Sequence, residues 1–273
     1  MVVLGQAVVV QAEDDVFRAV FIDSESEAKL GPFPFDRGVL ARGVEAIRKA
    51  KPRGLIIKLF LDMPRSASGD AALAEAMKGM KVLLQARMDD SQTQANPLPE
   101  KFFVPQLKVS TYAGISGKSG WLPLPMFASA AADVGFVDVV GSDVCPVLEC
   151  YQGRYVRSLP LAAVEFALGA RAEIMPGKRL KLNGVDVALD EFNQYPVTYP
   201  DKDALKYLPF HRLLLAADAD LKTLEDRVVI LGYDGDKIDR MDTPLGKMES
   251  HRVFYYGLIS LYDRVAKKAE TRR

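Results

Sequence analysis

The sequence predicts an α/β protein with a mostly parallel central sheet flanked by helices and a small antiparallel β insert. Runs of buried-type residues alternate with segments of helical periodicity along most of the chain, an order typical of βαβ units. The connections are short, which indicates parallel strands. Residues 177–199 depart from this order, because Asn183-Gly184 between two strand-like runs indicates a hairpin within a β-meander.

The first βαβ unit lies near the N-terminus. Residues 17–23 (FRAVFID) are rich in β-branched and aromatic residues and predict a buried strand. Residues 36–51 carry apolar side chains at helical spacing, with Asp36 as the expected N-cap and Pro52 ending the helix. Residues 54–61 (GLIIKLFL) then predict the second strand of the unit.

The middle of the chain continues the alternation. Residues 68–80 predict a second helix, capped by Ser68 or Asp70, and residues 81–88 (KVLLQARM) a third strand. The polar, proline-bearing residues 89–102 predict a surface loop. A short helix and another strand are expected within residues 123–141.

The C-terminal part completes the predicted domain. Residues 151–170 indicate a turn, a strand and an apolar helix, and residues 226–235 (DRVVILGYDG) a late buried strand. An amphipathic helix is expected over residues 249–268. We therefore expect a single domain over residues 13–265, followed by a polar tail at 266–273.

The composition narrows the functional classes. Lys plus Arg equals Asp plus Glu at 36 each, so no excess of positive charge indicates a nucleic-acid partner. No apolar run approaches the roughly 18–20 residues that span a bilayer. Residues 1–12 end in Val-Gln-Ala and are predicted to be either the remnant of an export signal cleaved after Ala12 or a first strand.

The only two cysteines are close in sequence. Four residues separate Cys145 from Cys150, a spacing that suits a disulfide across a tight bend. The same spacing excludes a C-x-x-C redox pair, and two thiolates alone do not complete a zinc site. We expect the pair to be a candidate disulfide of an exported protein.

Polar side chains at several strand ends form a candidate ligand site. Because the carboxyl ends of parallel strands meet at one edge of the sheet, these side chains are expected to gather there. A histidine at the start of the last helix is the second functional candidate. The candidate residues are Asp23, Ser24, Glu25, Lys58, Asp234, Asp236 and His251.

An alternative interpretation is that the acidic segment after the late strand binds a metal ion. Asp234, Asp236, Asp239 and Asp242 are hard oxygen donors of the kind that calcium and magnesium prefer. Asp23, Asp234, Asp236, Asp239 and His251 on the same rim would make a metal-dependent hydrolase. The spacing of the aspartates in the segment is not that of an EF-hand loop, so a solvated loop with local Asx turns competes with the metal interpretation.

The loop KLGPFPFDRG at residues 29–38 joins the first strand to the first long helix. Pro32 and Pro34 each fix φ near −65°, so we expect an extended loop. In that conformation Phe33 and Phe35 would point together towards the core.

Arg37 follows in the first helical turn, where the helix dipole disfavours a cation. A carboxylate would offset this cost, and we expect Asp23 or Glu25 to supply it.

Residues 17–61 resemble the CHASE type 2 (CHASE2) domain. The matching pattern is a strand ending in Ile-Asp, a following serine, Leu-Gly, an aromatic-Pro-aromatic element and an arginine. These positions are Ile22, Asp23, Ser26, Leu30, Gly31, Phe33, Pro34, Phe35 and Arg37. DAALAEAM, ADVGFVDVV and the late strand with its Asp-x-x-x-Thr-Pro loop are similar to further motifs, and the resemblance covers residues 16–262.

This resemblance implies a non-enzymatic sensory domain of a bacterial receptor, normally exported to the periplasmic or extracytoplasmic side. In that family the domain is usually tethered to transmembrane helices and a cytoplasmic output. The implied partners are a small ligand, a membrane signalling or envelope protein, or both, with no cofactor and with a homo-oligomer as an open possibility. The resemblance also implies that the proline loop is a structural signature of the family, formed by Pro32, Pro34, Phe35 and Arg37.

Several positions depart from the family pattern. Lys58 stands where the second strand typically carries an aspartate, and only Asp143 and Arg157 loosely match a later turn. His251 lacks the Gly-Val-Glu that usually precedes it. These departures support a third interpretation, a structural interaction protein that has lost ligand binding.

Overall fold

A computed structural model of the chain describes residues 16–89, 95–105, 107, 114–215 and 218–266. The two interpretations of residues 1–12 therefore concern residues outside this range. Of the predicted polar tail, only Ala266 is described, and it is the last residue of a helix.

The described residues form seventeen strands, eight α-helices and a 3₁₀ turn at Glu100–Phe102. The strands are β1 (Phe17–Asp23), β2 (Gly54–Ile57), β3 (Val82–Asp89), β4 (Ser116–Gly117), β5 (Ser119–Trp121), β6 (Asp133–Phe136), β7 (Val144–Pro146), β8 (Leu148–Tyr151), β9 (Arg154–Arg157), β10 (Glu173–Met175), β11 (Arg179–Leu182), β12 (Val185–Ala188), β13 (Gln194–Pro196), β14 (Tyr207–Pro209), β15 (Val228–Asp234), β16 (Arg240–Thr243) and β17 (Gly246–Glu249). The helices are α1 (Ser24–Leu30), α2 (Arg37–Lys49), α3 (Ala67–Met77), α4 (Pro125–Ala130), α5 (Leu159–Leu168), α6 (Phe210–Leu215), α7 (Asp218–Lys222) and α8 (Ser250–Ala266).

A seven-stranded, mostly parallel sheet forms the centre of the fold, as predicted. Its order is β14-β1-β15-β2-β3, and β3 then pairs in parallel with β6 and antiparallel with β5. The late strand β15 lies between β1 and β2, so the two strands of the first βαβ unit are not neighbours. Asp23 and Asp234 are opposite each other at the carboxyl ends of β1 and β15.

Helices cover both faces of this sheet because successive strand residues point to opposite faces. Val20 and Ile22 of β1 belong to a core with α2, α3 and α6. Ala19 and Phe21 of the same strand belong to a second core with α5, α8 and the strands β11 and β12. The architecture is therefore a layered α/β fold.

The predicted antiparallel insert is only partly a continuous meander. β10, β11 and β12 form a three-stranded antiparallel sheet, with Asn183 and Gly184 at φ 52° and 75° in the turn between β11 and β12. Positive φ at both central residues is what a type I′ hairpin turn requires. β13, which also lies within residues 177–199, pairs instead with β7.

One predicted helix cap is confirmed and one is wrong. Asp36 caps α2 by accepting a hydrogen bond from the Gly38 N–H at 2.7 Å. Ser66, rather than Ser68 or Asp70, caps α3, since its hydroxyl accepts from the Gly69 N–H at 3.2 Å. The Ser66 hydroxyl also donates to the Asp36 carboxylate at 2.7 Å, which ties the first turns of α2 and α3 together.

Gly135 in β6 is expected to tolerate no side chain. A Cβ atom there would lie 2.3 Å from the Leu159 Cα and 2.6 Å from its backbone nitrogen, at the start of α5. Relief requires α5 to move away from the sheet, because the contacted atoms are backbone. We expect Gly135→Ala to lower the free energy of unfolding by about 1–3 kcal/mol in urea titrations, and wild-type stability would contradict this close packing.

Candidate functional site

A cavity of about 550 Å³ opens at the carboxyl ends of β2, β3 and β6. Its walls come from the residues after these strands, from the first turns of α8 and from the loop before β16. The charged residues in the walls are Lys58, Arg87, Asp138, Lys237 and Asp239, and the aromatic ones are Phe33, Phe60, Trp121, Phe136 and Phe254.

Lys58 is the most buried cation of the cavity. It is 6% exposed, and its backbone N–H extends the pairing of β2 by donating to the Leu231 carbonyl at 2.8 Å. The ammonium donates to Gln85 Oε1 at 3.3 Å and lies 4.9 Å from the centre of the Phe254 ring. Burial, and then the nearby Arg87 charge, lower the pKa of Lys58 to about 7.

His251 lies in the first turn of α8 and also lines the cavity. Its Nδ1 accepts a hydrogen bond from the Tyr233 N–H at 2.9 Å, which joins α8 to β15. Burial, and then the Lys58 charge, lower the pKa of His251 well below its ordinary value. The ring is therefore neutral, with its proton on Nε2.

Arg87 and Asp138 lie at the carboxyl ends of two neighbouring strands. Arg87 Nε is 3.7 Å from Asp138 Oδ1, and the guanidinium lies 5.4 Å from the centre of the Trp121 ring. Phe60 packs edge-on against Trp121, with ring centroids 5.0 Å apart. The cavity thus combines a loosely paired guanidinium with an aromatic wall, here defined as Phe60 and Trp121.

A buried acid, Glu149, interacts with Asp138 of this pair. Glu149 in β8 is fully buried, and no described donor reaches either of its carboxyl oxygens. Burial, and then the Asp138 charge, raise the pKa of Glu149 well above its ordinary value. Glu149 therefore keeps its proton to a higher pH than an exposed glutamate, and its carboxyl group interacts with Asp138, whose own pKa is raised by burial.

This buried proton predicts a pH dependence of stability. Above about pH 4.5 the unfolded state releases the Glu149 proton while the folded state keeps it, so stability falls as pH rises, by up to about 1.4 kcal/mol per pH unit. Glu149→Gln keeps a donor without needing a proton. We expect its stability relative to wild type to increase from pH 5 to pH 8 in urea titrations, and a constant difference would contradict a protonated Glu149.

Three of the predicted ligand residues lie outside the cavity walls. The Asp23 carboxylate caps α1, accepting from the Ser26 N–H at 2.8 Å and the Ser26 hydroxyl at 2.7 Å. Ser24 and Glu25 are exposed, and Glu25 pairs with Lys29 at 2.6 Å on the helix surface. These residues stabilise the start of α1.

Asp234 and Asp236 also lie away from the cavity. Asp234 accepts two hydrogen bonds of 2.7 Å from Arg252, which also pairs with Asp203 at 2.5 Å. Asp236 is exposed and meets the Tyr233 hydroxyl only at 3.4 Å. Of the seven predicted residues, the structure brings only Lys58 and His251 into the cavity.

The metal alternative gains no support from the positions of its ligands. Within the part of the chain that the structure describes, no group of three or more His, Cys, Asp and Glu residues is placed to hold a metal ion. Asp234, Asp236, Asp239 and Asp242 therefore do not form such a group. Asp242 lies in the β16–β17 hairpin, and Asp234 is engaged by Arg252.

The predicted disulfide is wrong for this structure. Cys145 and Cys150 are both free and largely buried. Cys145 pairs with Tyr195 of β13, whereas Cys150 pairs with Ser116 of β4 and Tyr155 of β9, so the two thiols belong to different sheets. Cys145 lines the cavity, and burial raises its pKa to about 12.

The partner predicted for Arg37 is also wrong. Arg37 is 2% exposed and donates to Asp70 Oδ1 in α3 at 2.7 Å, and to the Met63 carbonyl at 2.7 Å. Its guanidinium also lies 5.1 Å from the centre of the Phe127 ring. Arg37 thus joins α2 to α3 and α4 and does not contact Asp23 or Glu25 by an ion pair.

The proline loop bends rather than extends. The backbone bends at residues 32–34, and the Phe33–Pro34 peptide is cis. Phe35 is buried as predicted, while Phe33 is half-buried, stacks on Tyr233 with ring centroids 4.6 Å apart and lines the cavity. Pro32 and Pro34 are both exposed.

Sequence comparison identifies the family of the chain. The CHASE2 domain pattern matches residues 3–264 of the 273-residue chain. The chain belongs to the CHASE2 family. CHASE2 domains are sensory, non-catalytic domains of signalling proteins, typically extracytoplasmic. No curated protein and no solved structure matches the chain. None of the helices formed by the described residues is long and apolar enough to cross a membrane.

Some residues at or near the cavity were not predicted from the sequence. Arg87 and Asp138 follow the same strand-end rule that indicated Lys58, and that rule could have identified them. Trp121 could not be found this way, because it lies in β5, which joins the sheet antiparallel to β3. Glu149 carried no signal, since its burial depends on the small sheet that β8 forms with β4 and β9.

Proposed function

We propose that this CHASE2 domain is a non-enzymatic, extracytoplasmic sensor that binds a small ligand in the 550 Å³ cavity. The observation that carries the proposal is the cavity itself, whose volume lies within the range of small-molecule sites. It also places buried Lys58 and His251 among aromatic side chains, and a few polar groups in an apolar site are typical of ligand binding. Its position beyond the carboxyl ends of parallel strands is where such sheets usually bind ligands.

The last helix, α8, provides the route from ligand to signal. His251, Val253, Phe254 and Gly257 of its first half line the cavity. The second half packs against the sheet through side chains of the second core, including Leu261. A ligand that contacts the first half would therefore shift α8 relative to the sheet, and a membrane signalling or envelope protein would detect that movement.

A binding screen with two matched variants tests this function. Val139 lines the cavity and Val140 does not, although both are exposed, at 45% and 75%. A library of small acids, amides, amines and sugars would be screened for compounds that raise the Tm of the wild-type protein. We expect hits that Val139→Phe weakens and Val140→Phe leaves unchanged, that are not chemically converted, and that slow hydrogen exchange in α8.

Two outcomes would contradict the proposal. If no compound binds, or if both valine variants behave like wild type, the cavity is not a ligand site and the interaction protein without a ligand becomes the better interpretation. If a hit is turned over by the protein, the domain is an enzyme.

A further inference from the structure

We propose that the cavity binds a small aromatic monocarboxylate, with the carboxylate on Lys58 and His251 and the ring against the aromatic wall. This inference rests on the proposed function and specifies its ligand class.

The charges of the walls favour an anion. At the strand ends, Lys58 and Arg87 contribute two positive charges and Asp138 one negative charge, which leaves one excess positive charge there while Lys58 is protonated. Lys237 is paired with Glu27, and Asp239 is exposed. His251 and Cys145 are neutral. A monoanion would balance this excess, whereas a dianion such as a phosphate monoester would leave one negative charge uncompensated in a partly buried site.

Lys58 carries the excess charge. Arg87 faces Asp138, and Lys237 pairs with Glu27. Among the described residues, no carboxylate lies within 4.0 Å of the Lys58 ammonium, which donates to the neutral Gln85 side chain at 3.3 Å. A buried ammonium with so weak a partner favours binding of a ligand carboxylate.

Two further donors support the same assignment. The Nδ1 of His251 is used by the Tyr233 N–H, so the Nε2 proton is the one left to donate to a ligand. The Gln85 side-chain nitrogen belongs to the amide that accepts from Lys58, and it is buried without a hydrogen-bond partner among the described residues, although Gln85 itself does not line the cavity. A carboxylate has enough lone pairs to accept from more than one of these donors, while an amine would offer them none.

The remaining walls favour a flat ring. Phe60, Trp121 and Phe254 all line the cavity, and Trp121 is 40% exposed, so part of its ring remains open to a ligand beside the contacts with Phe60 and Arg87. Aromatic rings gain contact energy from offset or edge-on packing. Trp121 is also the only tryptophan of the chain, which makes its fluorescence a reporter of the cavity.

The test compares acids with neutral and cationic analogues of the same shape. Benzoate, phenylacetate and 1-naphthoate would be titrated against the wild-type protein at pH 6.5, alongside benzamide, benzylamine and 1-naphthamide, with Trp121 fluorescence and Tm as readouts. We expect the acids to bind at least tenfold more tightly than the matching amides and amines.

Two variants connect the preference to Lys58. Lys58→Met should weaken acid binding at least tenfold and amide binding much less, because only the acid loses a charge-assisted bond, and Lys58→Gln should do the same. Lys81→Met is the matched control, because Lys81 also lies over a ring, that of Phe166 at 5.9 Å, but outside the cavity. It should bind the acids as the wild type does.

The outcomes separate this inference from the proposed function. Amides or amines that bind as well as acids, or acids that bind equally to Lys58→Met, would overturn the monocarboxylate assignment while a Val139-sensitive hit keeps the sensor proposal. The same holds if the only Val139-sensitive hits are sugars. If nothing in either panel binds in the cavity, both proposals fail.

Discussion

Replacing Arg37 with alanine is expected to lower the free energy of unfolding by about 3–5 kcal/mol. The substitution removes both bonds of the guanidinium, to Asp70 and to the Met63 carbonyl, and its contact with the Phe127 ring. The Asp70 carboxylate, 5% exposed, then remains buried with its charge uncompensated except for the Arg65 N–H at 3.0 Å. An unpaired buried charge costs more than the ion pair itself contributes.

Urea denaturation of three variants would check this expectation. Arg48→Ala is the matched control from the same helix, because its pair with Glu45 is about 40% exposed on both sides and should contribute only about 0–1 kcal/mol. The double variant Arg37→Met/Asp70→Leu should recover much of the loss, since it buries no charge. A loss for Arg37→Ala that matches the Arg48 control would show that the α2–α3 contact does not depend on this pair.

Lys58→Met is expected to stabilise the ligand-free protein by several kcal/mol at pH 6. Burial lowers the pKa of Lys58 from 10.5 to about 7, so below pH 7 the folded state bears the full cost of the buried charge. Between pH 7 and 10.5 the unfolded state binds more protons, and wild-type stability rises by up to about 1.4 kcal/mol per pH unit. The advantage of methionine should therefore shrink as pH rises through this window.

Urea titrations of wild type and Lys58→Met at pH 6 and pH 9 would measure the change. Lys81→Met should stay within about 0.5 kcal/mol of wild type at both values, because Lys81 is exposed. A Lys58→Met variant that is less stable than wild type at pH 6 would mean that Lys58 has an anionic partner in the folded protein. A stabilised variant that has lost acid binding would identify Lys58 as a residue kept for function at the expense of stability.

The sequence predicted the regular elements well where a long apolar pattern dictates them. β1 begins and ends at the predicted residues because its continuous apolar run is buried on both faces. α2 begins one residue after the predicted cap because its apolar spacing leaves one face to bury. The position of β15 between β1 and β2 could not be predicted, since hydrophobic pattern reports burial and not the neighbour of a strand.

The candidate site was predicted only in part for a related reason. Lys58 and His251 were found because they lie at the end of a strand and the start of a helix. Asp23 and Asp234 follow the same rule, but one is used by the first turn of α1 and the other by Arg252. The partner of Arg37 was also predicted wrongly, because only carboxylates close in sequence were considered. Its partner Asp70 lies in a helix, 33 residues further along the chain.

The position of β15 also dictates when the domain can fold. Residues 228–234 fill the gap between β1 and β2, and Phe17 pairs with Val228, so the centre of the sheet closes only after most of the chain has been made. Contacts so distant in sequence require a long loop to close and slow folding. An N-terminal fragment that ends before Val228 would leave the facing edges of β1 and β2 unpaired, and so the chain acquires its sheet late and as a whole.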